Sequence, residues 1–188
     1  MMADKQRPAR FLCAAAIAVA LIGDGALAQE ANSSSNTLNG ASSLTETHGD
    51  WQVNCQIVNG GKICRFSQQQ FNQGTTTERL LAMEVSTSAA DAAQGLLAMP
   101  FGLSLASGLK VSLDEKPQAQ PLVFKTCYPI GCLVEMKLDG AMLEAFKAAQ
   151  ILNLEGVASE TGQPVKFTIS LNGFTSAFAR VVALSTSK

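Results

Sequence analysis

The sequence predicts an all-β domain, either an antiparallel β-sandwich or a barrel-like sheet, with one or two short helices and two local disulfides. Three observations lead to this prediction. Apolar residues alternate with polar residues in several short segments, turn-forming residues separate those segments, and four cysteines remain once an N-terminal export signal is set aside. The apolar share, 47% of 188 residues, is sufficient for the core of one domain.

The first 28 residues have the pattern of a secretory signal. Three basic residues precede an uncharged apolar run over 11–23, which is too short to span a bilayer, and a small-residue cleavage site ends at Ala28. Residues 29–48 are rich in Ser, Asn and Thr, so we interpret them as a flexible leader. Residues 49–188 are then a single β-rich domain. No later window is apolar and uncharged over 18 residues, so no membrane span is expected.

The first predicted hairpin determines one disulfide. Trp51, Val53 and Cys55 fall on one face of a strand, and polar residues fall on the other face. Asn59-Gly60 is the preferred pair for a two-residue type I′ turn. Pairing outward from this turn puts Cys55 opposite Cys64 at a non-hydrogen-bonded site, where the Cα atoms lie about 4.5 Å apart. That separation permits a disulfide.

The second disulfide follows from the first. Pairing those two cysteines leaves Cys127 and Cys132, which Pro129 and Gly131 place around a tight turn. Closing each short loop is expected to stabilise the fold by about 2 to 3 kcal/mol. The spacings C-x8-C and C-x4-C fit neither a pair of zinc knuckles nor a C-x-x-C redox site. We therefore expect no metal and no cofactor.

The remaining elements follow from the periodicity of the apolar residues. Two segments have helical spacing: 139–150, where Asp139 can cap the helix, and a short closing helix that begins after Gly173. Five further segments alternate as strands, and their apolar faces are Leu81, Met83 and Val85; Leu109, Val111 and Leu113; Leu122 and Phe124; Cys132, Val134, Met136 and Leu138; and Val165, Phe167, Ile169 and Leu171.

No catalytic constellation is recognisable in the sequence. His48 is the only imidazole and stands between the leader and the first strand, so we interpret it as an exposed side chain. Residues 107–110 match S-x-x-K, but the partner motifs of that enzyme class are absent from the sequence. The charges are nearly balanced, 14 basic against 15 acidic residues, which argues against a nucleic-acid partner. The protein is expected to be non-enzymatic.

The candidate partner surface is the charge-free segment 96–105, with the sequence LLAMPFGLSL. Pro100 and Gly102 interrupt it, so it can form a buried strand pair or expose an apolar loop. In the exposed case, the side chains that would contact a partner or a lipid surface are Leu96, Leu97, Met99 and Phe101.

An ordered set of short motifs resembles the invasion-associated locus B family. The set comprises GDWQVNC at 49–55 followed by Cys64, MPFGL at 99–103, VSLD at 111–114, Cys127 with Gly131-Cys132, and ISLNGF at 169–174. The resemblance implies a secreted or envelope protein of alphaproteobacteria, from a family linked to the entry of pathogens into host cells, notably erythrocytes. It implies no catalytic residues. The residues expected to be structural are Trp51, the four paired cysteines, Asn59, Gly60, Gly131, Gly173 and Phe174.

Three classes of function are open at this point. The leading hypothesis is a non-enzymatic exported protein, located in the periplasm, at the outer membrane or outside the cell, that supports host-cell contact or invasion. The alternative is a periplasmic module that binds a small apolar ligand or lipid between its sheets, suggested by the segment 96–105. The third is a hydrolase whose site the sequence does not reveal.

Overall fold

The alternating segments form strands, because a period of two places their apolar side chains on one face of a sheet. The computed structural model describes residues 42–72, 79–87, 89–117 and 120–186. Within these ranges the elements are β1 Ser43–His48, β2 Trp51–Val58, β3 Gly61–Phe71, β4 Arg79–Ser86, β5 Ala92–Met99, a 3-10 helical turn Leu105–Ser107, β6 Lys110–Leu113, β7 Lys116–Pro117, β8 Phe124–Tyr128, β9 Gly131–Asp139, α1 Gly140–Ala148, β10 Ile151–Val157, β11 Pro164–Ser170 and α2 Phe174–Thr186.

The strands form two antiparallel sheets. The larger sheet has seven strands in the order β1-β2-β3-β4-β5-β9-β8, and the smaller has four in the order β11-β10-β6-β7. Most neighbours are also consecutive along the chain, as expected for hairpin connections. Two pairs are exceptions. Strand β10 pairs with β6 in the smaller sheet, and β9 returns to pair with β5 over the full length of β5, from Ala92 opposite Asp139 to Met99 opposite Cys132. The predicted all-β class with two disulfides is confirmed.

The predicted register of the first hairpin is confirmed. Val58 pairs with Gly61, and Cys55 lies directly opposite Cys64. Asn59 has a φ of 51° and Gly60 a φ of 76°, the two positive angles that a type I′ turn requires. The Cα atoms of the two cysteines are 4.0 Å apart, and their sulfur atoms are bonded.

The second disulfide joins β8 to β9. Cys127 pairs with Cys132, with a Cα separation of 3.9 Å. A side chain at Gly131 would come within 2.5 Å of the Met99 carbonyl oxygen, and its φ of 126° also favours glycine. The turn at this position therefore needs a glycine, as the sequence predicted.

Both helices contribute to a single core. Leu143 and Phe146 of α1 pack in the same hydrophobic cluster as Phe174 and Val181 of α2 and the inner faces of both sheets. Asp139 occupies the N-cap position of α1, but its side chain makes no capping hydrogen bond, so the capping prediction is wrong. Asp139 is instead the last residue of β9 and pairs with Ala92. In the described part of the chain, neither helix has the length and apolar character needed to cross a membrane.

The predicted leader ends earlier than the sequence indicated. Residues 29–48 were expected to be flexible, but Ser43–His48 form β1 and pair along β2 from Ser43 opposite Gln56 to His48 opposite Trp51. Backbone pairing and the packing of Leu44 against the core offset the polar composition that suggested disorder. The predicted signal at 1–28 and the leader up to residue 41 lie outside the described residues.

Candidate functional site

The turn between β1 and β2, near the start of the domain, contacts the segment that joins β11 to α2, near its end. Asp50 N donates to the carbonyl of Asn172 over 3.1 Å, and the Ser170 hydroxyl donates to the Asp50 carboxylate over 2.6 Å. A Cβ at Gly49 would approach the Asn172 carbonyl oxygen to 2.6 Å, and a Cβ at Gly173 would overlap the carbonyl of His48. The G-D-W and L-N-G-F motifs are therefore two halves of one tightly packed junction.

An aromatic cluster fills the core beneath this junction. The Phe174 ring lies with its centroid 5.4 Å from that of Trp51, 5.3 Å from that of Phe66 and 5.5 Å from that of Phe146. The Trp51 indole donates to the Ser170 carbonyl over 3.0 Å, so its one polar atom is satisfied. The prediction that Trp51, Gly173 and Phe174 are structural agrees with this packing.

The structure buries two of the four residues of the candidate partner surface and leaves the other two at least partly exposed. Leu97 and Met99 are fully buried, so their assignment to a partner surface is wrong. Both lie on the inner face of β5, a central strand, where period two directs them into the core. Leu96 is half-buried on the outer face, and Phe101, beyond the end of the strand, is 63% exposed.

Phe101 belongs instead to an exposed group from three segments, which we call the apolar tip: Phe71, Phe101, Tyr128 and Ile130. These side chains are 46% to 63% exposed. They lie at one end of the larger sheet, because β3, β5 and β8 end there and β9 begins there. Arg79 at the start of β4 donates to the Ile130 carbonyl, which ties the β8–β9 turn to this end. Of these four residues, the sequence pointed only to Phe101, since the other three are distant from it in the chain.

A concave cavity of about 880 Å³, which we call the trough, lies beside β9. Its volume is within the range typical of small-molecule sites, about 300 to 1,000 Å³. Its charged lining residues are Arg65, Glu84, Lys125, Glu135 and Lys137. Its apolar lining residues are Leu96, Val111, Leu122, Val123, Met136 and Met142.

The comparisons with known proteins agree with this geometry. Residues 51–182, which run from the aromatic core to α2, match the family model described as invasion associated locus B (IalB) protein. The chain belongs to the invasion-associated locus B family. An invasion protein B homolog of Brucella abortus (strain 2308) is 38% identical over 146 residues, 78% of this chain and 83% of the relative.

Two further members of the IalB family are similar over comparable lengths. Invasion protein B of Bartonella bacilliformis is 34% identical over 148 residues, 78% of each chain. The crystal structure of invasion associated protein B from Bartonella henselae superimposes with a TM-score of 0.68 at 33% identity, and covers 75% of this chain and 96% of that one. The IalB resemblance indicated by the sequence motifs is therefore confirmed.

In this IalB-family chain, Gln68 closes the outer edge of β11, a role that the sequence did not reveal. The side chain is buried, and its amide donates to the Ser170 and Asp50 carbonyls over 3.1 and 3.2 Å. Its oxygen accepts from Ser170 N over 3.2 Å. Gln70 donates to the Thr168 carbonyl on the same edge. The sequence contains one signal that could have revealed this role. Gln68 occupies an inward position of an alternating strand, and a buried glutamine side chain needs hydrogen-bond partners.

We expect Gln68→Met to lower the free energy of unfolding by about 2 kcal/mol, because it leaves backbone groups of Ser170 and Asp50 unsatisfied. Gln69→Met, at the exposed neighbouring position, is the matched control and should change stability by less than about 0.5 kcal/mol. Urea unfolding of both variants measures the difference. Equal stabilities would contradict the edge-closing role of Gln68.

An ion pair joins β1 to α2. The Arg180 guanidinium donates two hydrogen bonds of 2.7 Å to the Glu46 carboxylate, and His48 Nε2 lies 3.5 Å from the same carboxylate. His48 is only 21% exposed, so its interpretation as an exposed side chain is wrong. The hydrogen bond from Arg180 is the main cause that lowers the pKa of Glu46 below its ordinary value of 4.5, and the one with His48 adds to it.

We expect Glu46→Gln to cost about 1 kcal/mol of stability at pH 7, a modest value because both side chains are partly exposed. The folded-state pKa lies below that of the unfolded chain, so the ion pair stabilises fully above pH 4.5 and progressively less as the pH falls through the folded-state pKa. The difference between wild type and variant in urea unfolding should therefore shrink below pH 4.5. Glu155→Gln, which breaks the exposed pair with Lys110, is the control and should have a smaller effect.

Proposed function

We propose that the protein is an exported, non-enzymatic envelope protein that supports host-cell contact or invasion, with the apolar tip as its contact surface. The observation that carries the proposal is the clustering of Phe71, Phe101, Tyr128 and Ile130 at one end of the larger sheet. Apolar groups gathered in one exposed region of a folded domain favour a surface that becomes covered by a partner. The names of the relatives, invasion protein B, support a role in invasion.

Export is supported by two features of the chain. The N-terminal residues have the order of a secretory signal, and the mature cysteines are paired as Cys55–Cys64 and Cys127–Cys132. Disulfides form and persist in the periplasm and outside the cell. The proposed location is the periplasm, the outer membrane or the exterior.

The proposed partner is a protein or lipid surface of the host cell or envelope. Two Phe and one Tyr supply most of the tip, and aromatic residues are enriched among those that dominate binding energy at interfaces. Phe71 and Tyr128 are the last residues of their strands, and Phe101 and Ile130 lie in the turns beyond strand ends, so all four belong to the same end of the sheet.

The test is complementation of a deletion strain in an assay of entry into cultured host cells. We expect the triple variant Phe101→Ser, Tyr128→Ser, Ile130→Ser to restore entry about tenfold less well than the wild type. The control is Val58→Ser with Ile63→Ser, which removes apolar groups that are 43% and 42% exposed near the other end of β2 and β3. Immunoblots of cell fractions confirm equal export. Unimpaired entry of the deletion strain, or full rescue by the triple variant, would overturn the proposal.

The non-enzymatic part of the proposal has its own measurement. The purified protein should give only background rates on a panel of ester and glycoside substrates. Turnover that depends on protein concentration and survives further purification would show instead that the chain contains a hydrolytic site.

A second candidate function is the binding of a small apolar ligand. The sequence placed such a ligand between the sheets, but the inter-sheet space around Trp51, Phe66 and Phe174 is filled by side chains. The observation that favours the function is the trough, which lies beside β9 instead. Native mass spectrometry of the protein isolated from cells tests it. A reproducible added mass supports the function, and a bare protein that also binds no added amphiphile excludes it.

A further inference from the structure

The trough passes around the edge of β9. Strand β8 pairs with β9 only as far as Phe124 opposite Val134, and none of the other described strands covers the same edge beyond that point. Consecutive residues of a strand point to opposite faces of its sheet. Both Met136, on the inner face, and Lys137, on the outer face, line the trough. The cavity therefore connects the charged outer face with the apolar side of the sheet.

The two sides of the trough have different chemistry. On the inner side, Val111 comes from β6 and Met142 from α1, and they meet Leu122 and Met136 to form an apolar lining. Val123 stands at the opening and is 71% exposed. Such a lining favours a hydrocarbon chain, because it removes methylene groups from water.

The outer side carries an unmatched positive charge. Arg65 lies 3.4 Å from Glu84, and Lys125 lies 3.4 Å from Glu135, so these four charges pair with one another. Lys137, exposed and opposite Gln94 on β5, has no ion-pair partner among the described residues. A single ammonium beside an apolar lining matches a ligand with one negative charge at the end of an apolar chain.

We propose that the trough binds a single-chain amphiphile with a carboxylate head, with the chain against Val111, Leu122 and Met142 and the head paired to Lys137. This inference deepens the second candidate function by naming the ligand class and the residue that selects it. It requires no covalent step. The other acids and bases of the rim are paired with one another, which leaves Lys137 as the charge available to the head group.

The test is isothermal titration calorimetry of the full mature protein with dodecanoate, kept below the critical micelle concentration of dodecanoate. The comparison ligand is dodecylammonium, which has a hydrocarbon chain of the same length and the opposite charge. We expect one dodecanoate per chain, bound at least tenfold more tightly than dodecylammonium. Decanoate should bind about tenfold more weakly than dodecanoate, since each buried methylene contributes about fourfold and the last groups are partly exposed.

Two variants with matched controls assign the binding to the trough. Lys137→Glu should weaken dodecanoate binding at least tenfold, whereas Lys116→Glu, at another exposed strand lysine that lies outside the trough, should not change it. Val123→Glu should weaken it as well, and Val58→Glu, at the β2–β3 turn, should not. All four positions are exposed, so the fold should be retained, which thermal unfolding verifies.

The outcomes separate the inference from the function on which it rests. Equal affinity for dodecanoate and dodecylammonium, or equal effects of Lys137→Glu and Lys116→Glu, would overturn the carboxylate assignment and leave apolar-ligand binding in place. The absence of saturable binding for either probe would overturn both.

Discussion

Gly173→Ala is expected to lower the free energy of unfolding by about 3 kcal/mol or more, among the largest effects of any single substitution in this chain. Its φ is 89°, and an added Cβ would overlap the backbone carbonyl of His48. That carbonyl belongs to the β1–β2 turn and cannot move without breaking the junction with Asn172. Because the obstacle is backbone rather than a flexible side chain, local relaxation cannot remove it.

Gly102→Ala is the matched control for this prediction. Gly102 has a nearly identical φ of 87°, but nothing lies within 4 Å of the added Cβ. Only the left-handed backbone conformation is then penalised, at about 1 to 2 kcal/mol. Urea unfolding of the two variants separates the contact from the backbone strain. A Gly173→Ala protein no less stable than Gly102→Ala would show that the junction is looser than described.

Phe174→Ala is expected to destabilise the protein by about 4 kcal/mol. The ring is fully buried and stands among Trp51, Phe66 and Phe146, with centroid distances of 5.3 to 5.5 Å. Its removal leaves a cavity at the point where α2 meets the larger sheet, and large-to-small changes of this kind cost about 3 to 5 kcal/mol. Phe174→Leu, which refills most of the space, should cost less than half as much.

Phe101→Ala is the control for the aromatic core, since Phe101 is 63% exposed. It should change stability by less than about 0.5 kcal/mol. The comparison also bears on the proposed function. A large loss of stability in Phe101→Ala would mean that the apolar tip supports the fold, and the entry assay would then need a different set of variants.

The hairpins illustrate what could be predicted from the sequence. Asn59-Gly60 sets the turn, the turn sets the register, and the register places Cys55 opposite Cys64. Each step depends on residues close together in the chain, where the backbone geometry is restricted to a few conformations. The closing helix follows from helical spacing in the same local way, and it extends over Phe174–Thr186.

The composition of residues 29–48 misplaced the boundary between the leader and the folded domain. Ser43–His48 contains polar and β-compatible residues, and its strand conformation depends on β2 being available as a partner. Once β1 is formed, Glu46 and His48 face the core side, where Arg180 approaches from α2. This contact joins residues 134 positions apart, so no local pattern could reveal it.

The sequence by itself determined the all-β class, the first hairpin register, both disulfide pairs and the family, because these depend on short-range periodicity, turn geometry and ordered motifs. Only the tertiary structure decided that Leu97 and Met99 are core residues, that Gln68 closes the edge of β11, and which residues make up the apolar tip and the trough. These features arise where strands distant in the chain become neighbours. Periodicity specifies which side of a strand is apolar, whereas the order of the strands in the sheets specifies what each side meets.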